Sequence, residues 1–212
     1  MSLRTPIEHP HVWRGFDKQS VGDVHPTGYE VLDAHLPGGG WPGAALTEII
    51  LERYGVGELS LLMPAMANLC KAGVTQRTRG WIFWIAPPFI PYAPALNRHG
   101  IDLNRILLAH PPPTQFASLW AAEQALRAKS CAAVLAWVRA ADQTALRRLQ
   151  LAAEEARCWT VLFRPGTAAQ QRSPAALRLR LTRIGAMIRV EILKCRGARP
   201  GVVHVPHDDI AR

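Results

Sequence analysis

The chain has 212 residues, of which 49% are hydrophobic and 19% are charged. This composition supports a buried core and excludes disorder over most of the length. The longest apolar run, Trp81 to Ile90, is interrupted by two prolines and is too short to span a bilayer, so we expect no membrane contact. The first residues lack the apolar stretch of a secretory signal, and we therefore expect a cytoplasmic protein.

The net charge of +9 is concentrated towards the carboxy terminus. Residues 1–138 contain 11 basic and 10 acidic side chains, whereas residues 139–212 contain 14 basic and 6 acidic ones. Between residues 157 and 199, ten basic residues accompany a single acid, Glu191, and nine of the ten are arginines. Arginine binds phosphate groups through paired N–H donors, so this distribution predicts a polyanionic partner.

The periodicity of the apolar residues predicts an α/β protein. We divide the chain into an N-terminal arm (1–26), a core (27–200) and a C-terminal tail (201–212). Short continuous apolar runs, typical of strands buried on both faces, alternate with amphipathic helical patterns. The predicted strands cover residues 45–51, 81–86, 106–109, 132–138 and 159–163, and the predicted helices cover 58–72, 94–100, 114–129 and 144–157. This alternation predicts a doubly wound, mainly parallel sheet.

The pattern changes after residue 176 to a strict period of two. Leucines alternate with arginine or threonine from Leu177 to Thr182, and apolar residues alternate with polar ones from Ile188 onwards. This period on both sides of Gly185 predicts an antiparallel hairpin at the edge of the sheet. The basic face of the hairpin supplies candidate contacts with DNA or a protein partner: Arg178, Arg180, Arg183 and Arg189. A solvated strand face is the alternative interpretation.

A glycine-containing loop follows the first predicted strand, where an ATPase of this architecture would bind phosphates. A working loop has the pattern G-x-x-x-x-G-K-[ST], in which the lysine neutralises phosphate and the hydroxyl binds magnesium. Here Gly55 and Gly57 are followed by Glu58 and Leu59 in the places of the lysine and the hydroxyl residue. Because a carboxylate repels phosphate and leucine binds no magnesium, the sequence predicts no nucleotide cofactor and no enzymatic activity. The four cysteines form no C-x-x-C pair and predict no metal site.

Several segments resemble known proteins. Those similar to the RecA recombinase core are Thr27–Asp33, Gly40–Gly43, Leu46–Ile49 and Arg180–Gly185. Four further segments together resemble the ImuA family, RecA-like accessory proteins of bacterial mutagenic translesion synthesis that are often labelled SulA-like: Leu36–Pro42, Ile85–Leu96, Leu119–Leu126 and Arg147–Ala153. The resemblance implies a RecA-like fold with a degenerate phosphate loop.

The same resemblance implies a non-catalytic protein of the SOS response to DNA damage. Such a protein bridges an ImuB-type, Y-family-like subunit and single-stranded DNA. An error-prone DnaE-type polymerase is its indirect partner, associated through the same complex. The resemblance also implies a DNA-contacting segment that includes Arg172, and an interface role for Lys194 and Arg196, which resemble residues at the contact between RecA protomers. Ordinary surface charge is the alternative interpretation of Lys194 and Arg196. Partner contacts are expected chiefly after Ser173. Two alternatives remain: a SulA-like inhibitor of cell division, and a residual ATPase or recombinase.

Overall fold

An eight-stranded mixed sheet forms the centre of the protein. The computed structural model describes residues 23–75, 80–112, 114 and 116–207. The strands are β1 (Val24–His25), β2 (Trp41–Pro42), β3 (Leu46–Leu51), β4 (Trp81–Ile85), β5 (Ile106–Ala109), β6 (Cys131–Trp137), β7 (Trp159–Pro165), β8 (Leu177–Ile184), β9 (Met187–Cys195) and β10 (Gly201–Pro206). The helices are α1 (Glu30–Asp33), α2 (Glu58–Thr75), α3 (Ala93–Arg98), α4 (Ala117–Arg127) and α5 (Gln143–Ala156), with 3-10 turns at Leu103–Arg105 and Gly166–Gln170.

The order of strands in the large sheet is β10-β9-β8-β3-β7-β6-β4-β5, while β1 and β2 form a separate ribbon. From β8 to β5 all neighbours pair in parallel, and β9 runs antiparallel to both β8 and β10. Crossover helices between parallel strands cover both faces of such a sheet. The arrangement confirms the predicted RecA-like, doubly wound and mainly parallel fold with antiparallel strands at its carboxy-terminal edge.

Two apolar layers hold the sheet between its helices. Leu62 and Met66 of α2 belong to one buried cluster with Ile49 of β3. Leu126 of α4 and Leu149 of α5 belong to a second cluster on the opposite face. All six residues of β3 are buried, including the polar Thr47 and the charged Glu48. Among the described residues, no helix is long and apolar enough to cross a membrane.

Both ends of the described chain add strands that the sequence analysis does not predict. The segment Gly201–Pro206, assigned to the tail, forms β10 and pairs with β9 along its whole length, with Val203 and Val205 buried. Val24–His25, assigned to the arm, pairs with β2. Residues 1–22 of that arm lie outside the described residues. The antiparallel part of the sheet therefore contains a third strand beyond the predicted hairpin.

The cysteine side chains are free thiols, of which Cys70 and Cys158 are buried. Burial raises the pKa of Cys158 to about 12 and that of Cys195 to about 11. A thiol with such a pKa is protonated at neutral pH and is a poor nucleophile.

Candidate functional site

The loop between β3 and α2 is folded around the carboxylate of Glu58. The Gly55 N–H donates hydrogen bonds to Glu58 Oε1 and Oε2 at 2.9 and 3.1 Å, and the Val56 N–H donates to Oε2 at 2.9 Å. Gly55 and Gly57 have φ angles of 82° and 102°, in the left-handed region that glycine tolerates. Successive backbone N–H groups arranged in this way form a nest for anions. In this loop the nest holds a carboxylate of the same chain.

The position of Glu58 in helix α2 also favours its carboxylate. Its side chain lies at the first turn of the 18-residue helix α2, whose N-terminus favours negative charge, and the residue is only 6% exposed. The sequence analysis treats this carboxylate as a source of repulsion. The structure adds that it accepts the backbone hydrogen bonds that a phosphate would accept. Leu59, at the hydroxyl position, is partly buried and packs against the core.

A buried ion cluster lies on the α5 face of the sheet, where β3, β7 and β8 are neighbours. Glu48 Oε1 accepts from Arg164 Nη1 at 2.8 Å, and Glu48 Oε2 accepts from Arg178 Nε at 2.6 Å. The Glu48 side chain is 0% exposed, and those of Arg164 and Arg178 are 1% and 8% exposed. The cluster holds two positive charges and one negative charge. The assignment of Arg178 to an exposed basic face is thus corrected: its guanidinium turns inward because Glu48 is its direct neighbour across β3 and β8.

Two of the hairpin arginines share one acid. Arg180 Nη2 and Arg189 Nη1 each lie 2.8 Å from Oε2 of Glu191. Hydrogen bonds from Arg189 and Arg180 hold the pKa of Glu191 below its ordinary value. Arg183 donates from Nε to the carbonyl of Gly185 at 3.1 Å in the turn. The antiparallel pairing of β8 and β9 confirms the predicted hairpin. Its basic face carries less unpaired charge than the sequence suggests, because Glu191 binds two of its arginines.

A concave surface with a volume of about 620 Å³ lies beside the ion cluster, and we call it the basic groove. It lies between the first turns of α5, the segment 170–174 and β9. The residues that line it are Gln143, Arg147, Gln170, Gln171, Arg172, Ser173, Pro174, Arg178, Leu193 and Lys194. The structure thus brings together three of the predicted contact residues, Arg172, Arg178 and Lys194. Arg180 and Arg189, which pair with Glu191, are not among the lining residues.

Sequence reasoning missed Arg147 as a member of this surface. Arg147 lies on α5, and the Asp142 side chain caps that helix by accepting from the Ala145 N–H at 2.7 Å. Arg196, another predicted contact, follows β9 and pairs with Glu154 near the C-terminal end of α5, at 3.5 Å. A period-two signal identifies the hairpin arginines but contains no information on which helix packs beside them.

Lys194 is the most enclosed free cation of the groove. Its Nζ donates to the carbonyl of Ser173 at 2.8 Å. Burial lowers the pKa of Lys194, the nearby charges of Arg196 and Arg178 lower it further, and Glu48 acts in the opposite direction. The surroundings of Lys194 are therefore electropositive overall.

The fold and the loop define a RecA-like α/β protein in which the carboxylate of Glu58 accepts the backbone N–H groups of the loop after β3. No family model matches the chain. Protein ImuA of Caulobacter vibrioides, strain NA1000 / CB15N, is 30% identical over 194 residues, covering 80% of this chain and 78% of that protein, and ImuA of strain ATCC 19089 / CIP 103742 / CB 15 matches equally. The chain belongs to the ImuA family. The crystal structure of SulA from Pseudomonas aeruginosa is 28% identical with a TM-score of 0.46, covering 59% of this chain and 100% of that one.

Proposed function

We propose that this protein is a non-catalytic accessory factor of damage-induced mutagenesis. It acts in the cytoplasm within the SOS response and supports translesion synthesis by bridging an ImuB-type subunit and single-stranded DNA. An error-prone DnaE-type polymerase joins through that subunit. Membership of the ImuA family is the observation that carries this proposal.

The non-catalytic part of the proposal is supported by the contacts of Glu58. Its carboxylate already accepts the N–H bonds of Gly55 and Val56, and Leu59 offers no hydroxyl for magnesium. A triphosphate would have to displace a carboxylate that is covalently attached to the loop. We expect no magnesium-dependent ATP hydrolysis with or without single-stranded DNA. Turnover that a loop substitution abolishes would favour the residual ATPase.

Partner contact remains assigned chiefly to the chain after Ser173. Arg183 and Arg196 are partly or fully exposed there, and Arg180 and Arg189 form the Glu191 cluster. The same segment supplies β8, β9 and β10, whose apolar side chains are part of the core. Truncation would therefore remove three strands of the sheet, and point substitutions are the proper test of this surface.

The cellular test is deletion of the gene followed by complementation. Mutation frequency after ultraviolet irradiation should fall to the unirradiated level in the deletion strain and return with the wild-type gene. Overproduction of the protein should leave cell length unchanged. Normal induced mutagenesis in the deletion strain, or filamentation on overproduction through a direct complex with the division protein, would favour the SulA-like inhibitor.

A further inference from the structure

We propose that the basic groove binds the sugar–phosphate backbone of a nucleic-acid strand. This inference deepens the proposed function, on which it rests for its cellular role, by locating the nucleic-acid contact between α5 and the segment 170–174. It moves that contact away from the exposed face of the hairpin and adds Arg147 to it.

The first argument is the pairing of charges. Among the described residues, Arg147, Arg172 and Lys194 form no ion pair with a carboxylate, and no carboxylate lines the groove. The hairpin arginines Arg180 and Arg189 share Glu191 instead. An arginine that shares its charge with a carboxylate adds less net positive charge to a phosphate site than an unpaired arginine does. Three unpaired cations of the carboxy-terminal half thus lie on one concave surface.

The second argument is the rigidity of the groove floor. Arg178 lines the groove and is held by Glu48 at 2.6 Å and by the carbonyl of Ala168 at 2.7 Å. Arg164 donates to the Gln171 side chain at 2.8 Å and so fixes the segment that carries Arg172. Because this buried cluster has one more positive than negative charge, it adds to the potential of the free cations.

The side chains of the groove favour a phosphodiester over an acidic peptide. Only Leu193 and Pro174 are apolar, so the groove offers no deep apolar pocket of the kind that anchors a peptide. Three glutamine amides, at positions 143, 170 and 171, supply donors and acceptors beside the cations. No aromatic ring lines the groove, so bases do not stack within it and recognition should tolerate any sequence.

The test is fluorescence anisotropy with the full chain and a labelled oligothymidylate of about 20 nucleotides. The groove variant is Arg147→Gln/Arg172→Gln/Lys194→Gln, and the matched control is Arg180→Gln/Arg189→Gln on the hairpin. We expect the groove variant to lose at least about tenfold in affinity and its slope of log K against log salt to fall by about 2, since each contact with a single strand contributes about 0.7. The control should change less than about twofold.

A second variant, Arg147→Glu/Arg172→Glu, changes only exposed residues and keeps the proposal testable if the triple variant unfolds. Equal affinity of the groove variants and the wild type would overturn the proposal, as would an equal loss in the hairpin control. Polyglutamate that binds the wild type when the oligonucleotide does not would identify an acidic-peptide site and also overturn it. If binding depends on the groove but the deletion strain shows unchanged mutagenesis, nucleic-acid binding by the groove is supported and the proposed cellular function is rejected.

Discussion

The glycine loop and the basic groove both carry groups that bind anions, but they differ in how far acids of the same chain already occupy those groups. In the loop, the N–H groups of Gly55 and Val56 bind the carboxylate of Glu58. In the groove, Arg147, Arg172 and Lys194 have no carboxylate partner among the described residues. The comparison teaches that the number of positive groups does not define an anion site. What matters is whether an acid of the same fold already satisfies them.

The largest expected effect is on the cluster beneath the groove. Glu48→Gln leaves Arg164 and Arg178 buried without their carboxylate, which should lower the free energy of unfolding by about 3–5 kcal/mol. Urea denaturation followed by circular dichroism measures this loss. The control is Glu155→Gln, because Glu155 pairs with Lys129 at the surface, and its unfolding midpoint should not move measurably. Equal midpoints for the two variants would contradict the account of the groove floor.

A smaller effect is expected in the loop. Glu58→Ala empties the nest and leaves the N–H groups of Gly55 and Val56 without their acceptor, which should cost about 1–3 kcal/mol. Inorganic phosphate should then raise the melting temperature of this variant but not that of the wild type, with chloride of equal ionic strength as the salt control.

Glu58→Gln is the matched control for the emptied nest, since it retains one carbonyl acceptor and the shape of the side chain. It should lose less stability than Glu58→Ala and should not respond to phosphate. A phosphate response in the wild type, or none in Glu58→Ala, would show that the carboxylate is not the occupant that keeps the nest closed to anions.

The smallest effect concerns the hairpin, where Glu191 compensates two arginines. The pKa of Glu191 is lowered from 4.5 in the fold, mainly by hydrogen bonds from Arg189 and Arg180. Its ionised form therefore stabilises the protein fully above about pH 4.5, and this contribution is lost as the pH falls through the lowered value. Melting curves of the wild type and Glu191→Gln should differ at pH 7 and converge at low pH. A difference that stays constant down to pH 3 would contradict the ion pairs.

Much of the fold could be predicted from the sequence, because the central strands are short, mainly apolar segments that alternate with helical patterns. The predicted strand 159–163 corresponds to β7, and the period-two pattern marks both β8 and β9. Strand β10 has a weaker signal: its valines are separated by His204 and flanked by glycine and proline. A run that short and interrupted is not distinguishable from a tail until its partner strand is known.

The candidate site was less accessible to sequence reasoning than the fold. The substitution at Glu58 is readable from the loop pattern, but its hydrogen bonds to the loop depend on the turn conformation. The inward turn of Arg178 depends on Glu48, which is 130 positions away in the chain. The groove requires Arg147 to approach Lys194 from another element. Long-range pairing of charges is therefore the information that composition and periodicity do not contain.

The most direct test of the contrast between the two surfaces is a nuclear magnetic resonance titration. A backbone-assigned, ¹⁵N-labelled sample of the wild type is titrated with an oligothymidylate, and amide shifts are followed in both regions at once. The account predicts saturable shifts at Arg172 and Lys194 and none at Gly55 and Val56, whose N–H groups remain bound to Glu58. Saturable shifts at Gly55 and Val56, with an unchanged groove, would contradict it.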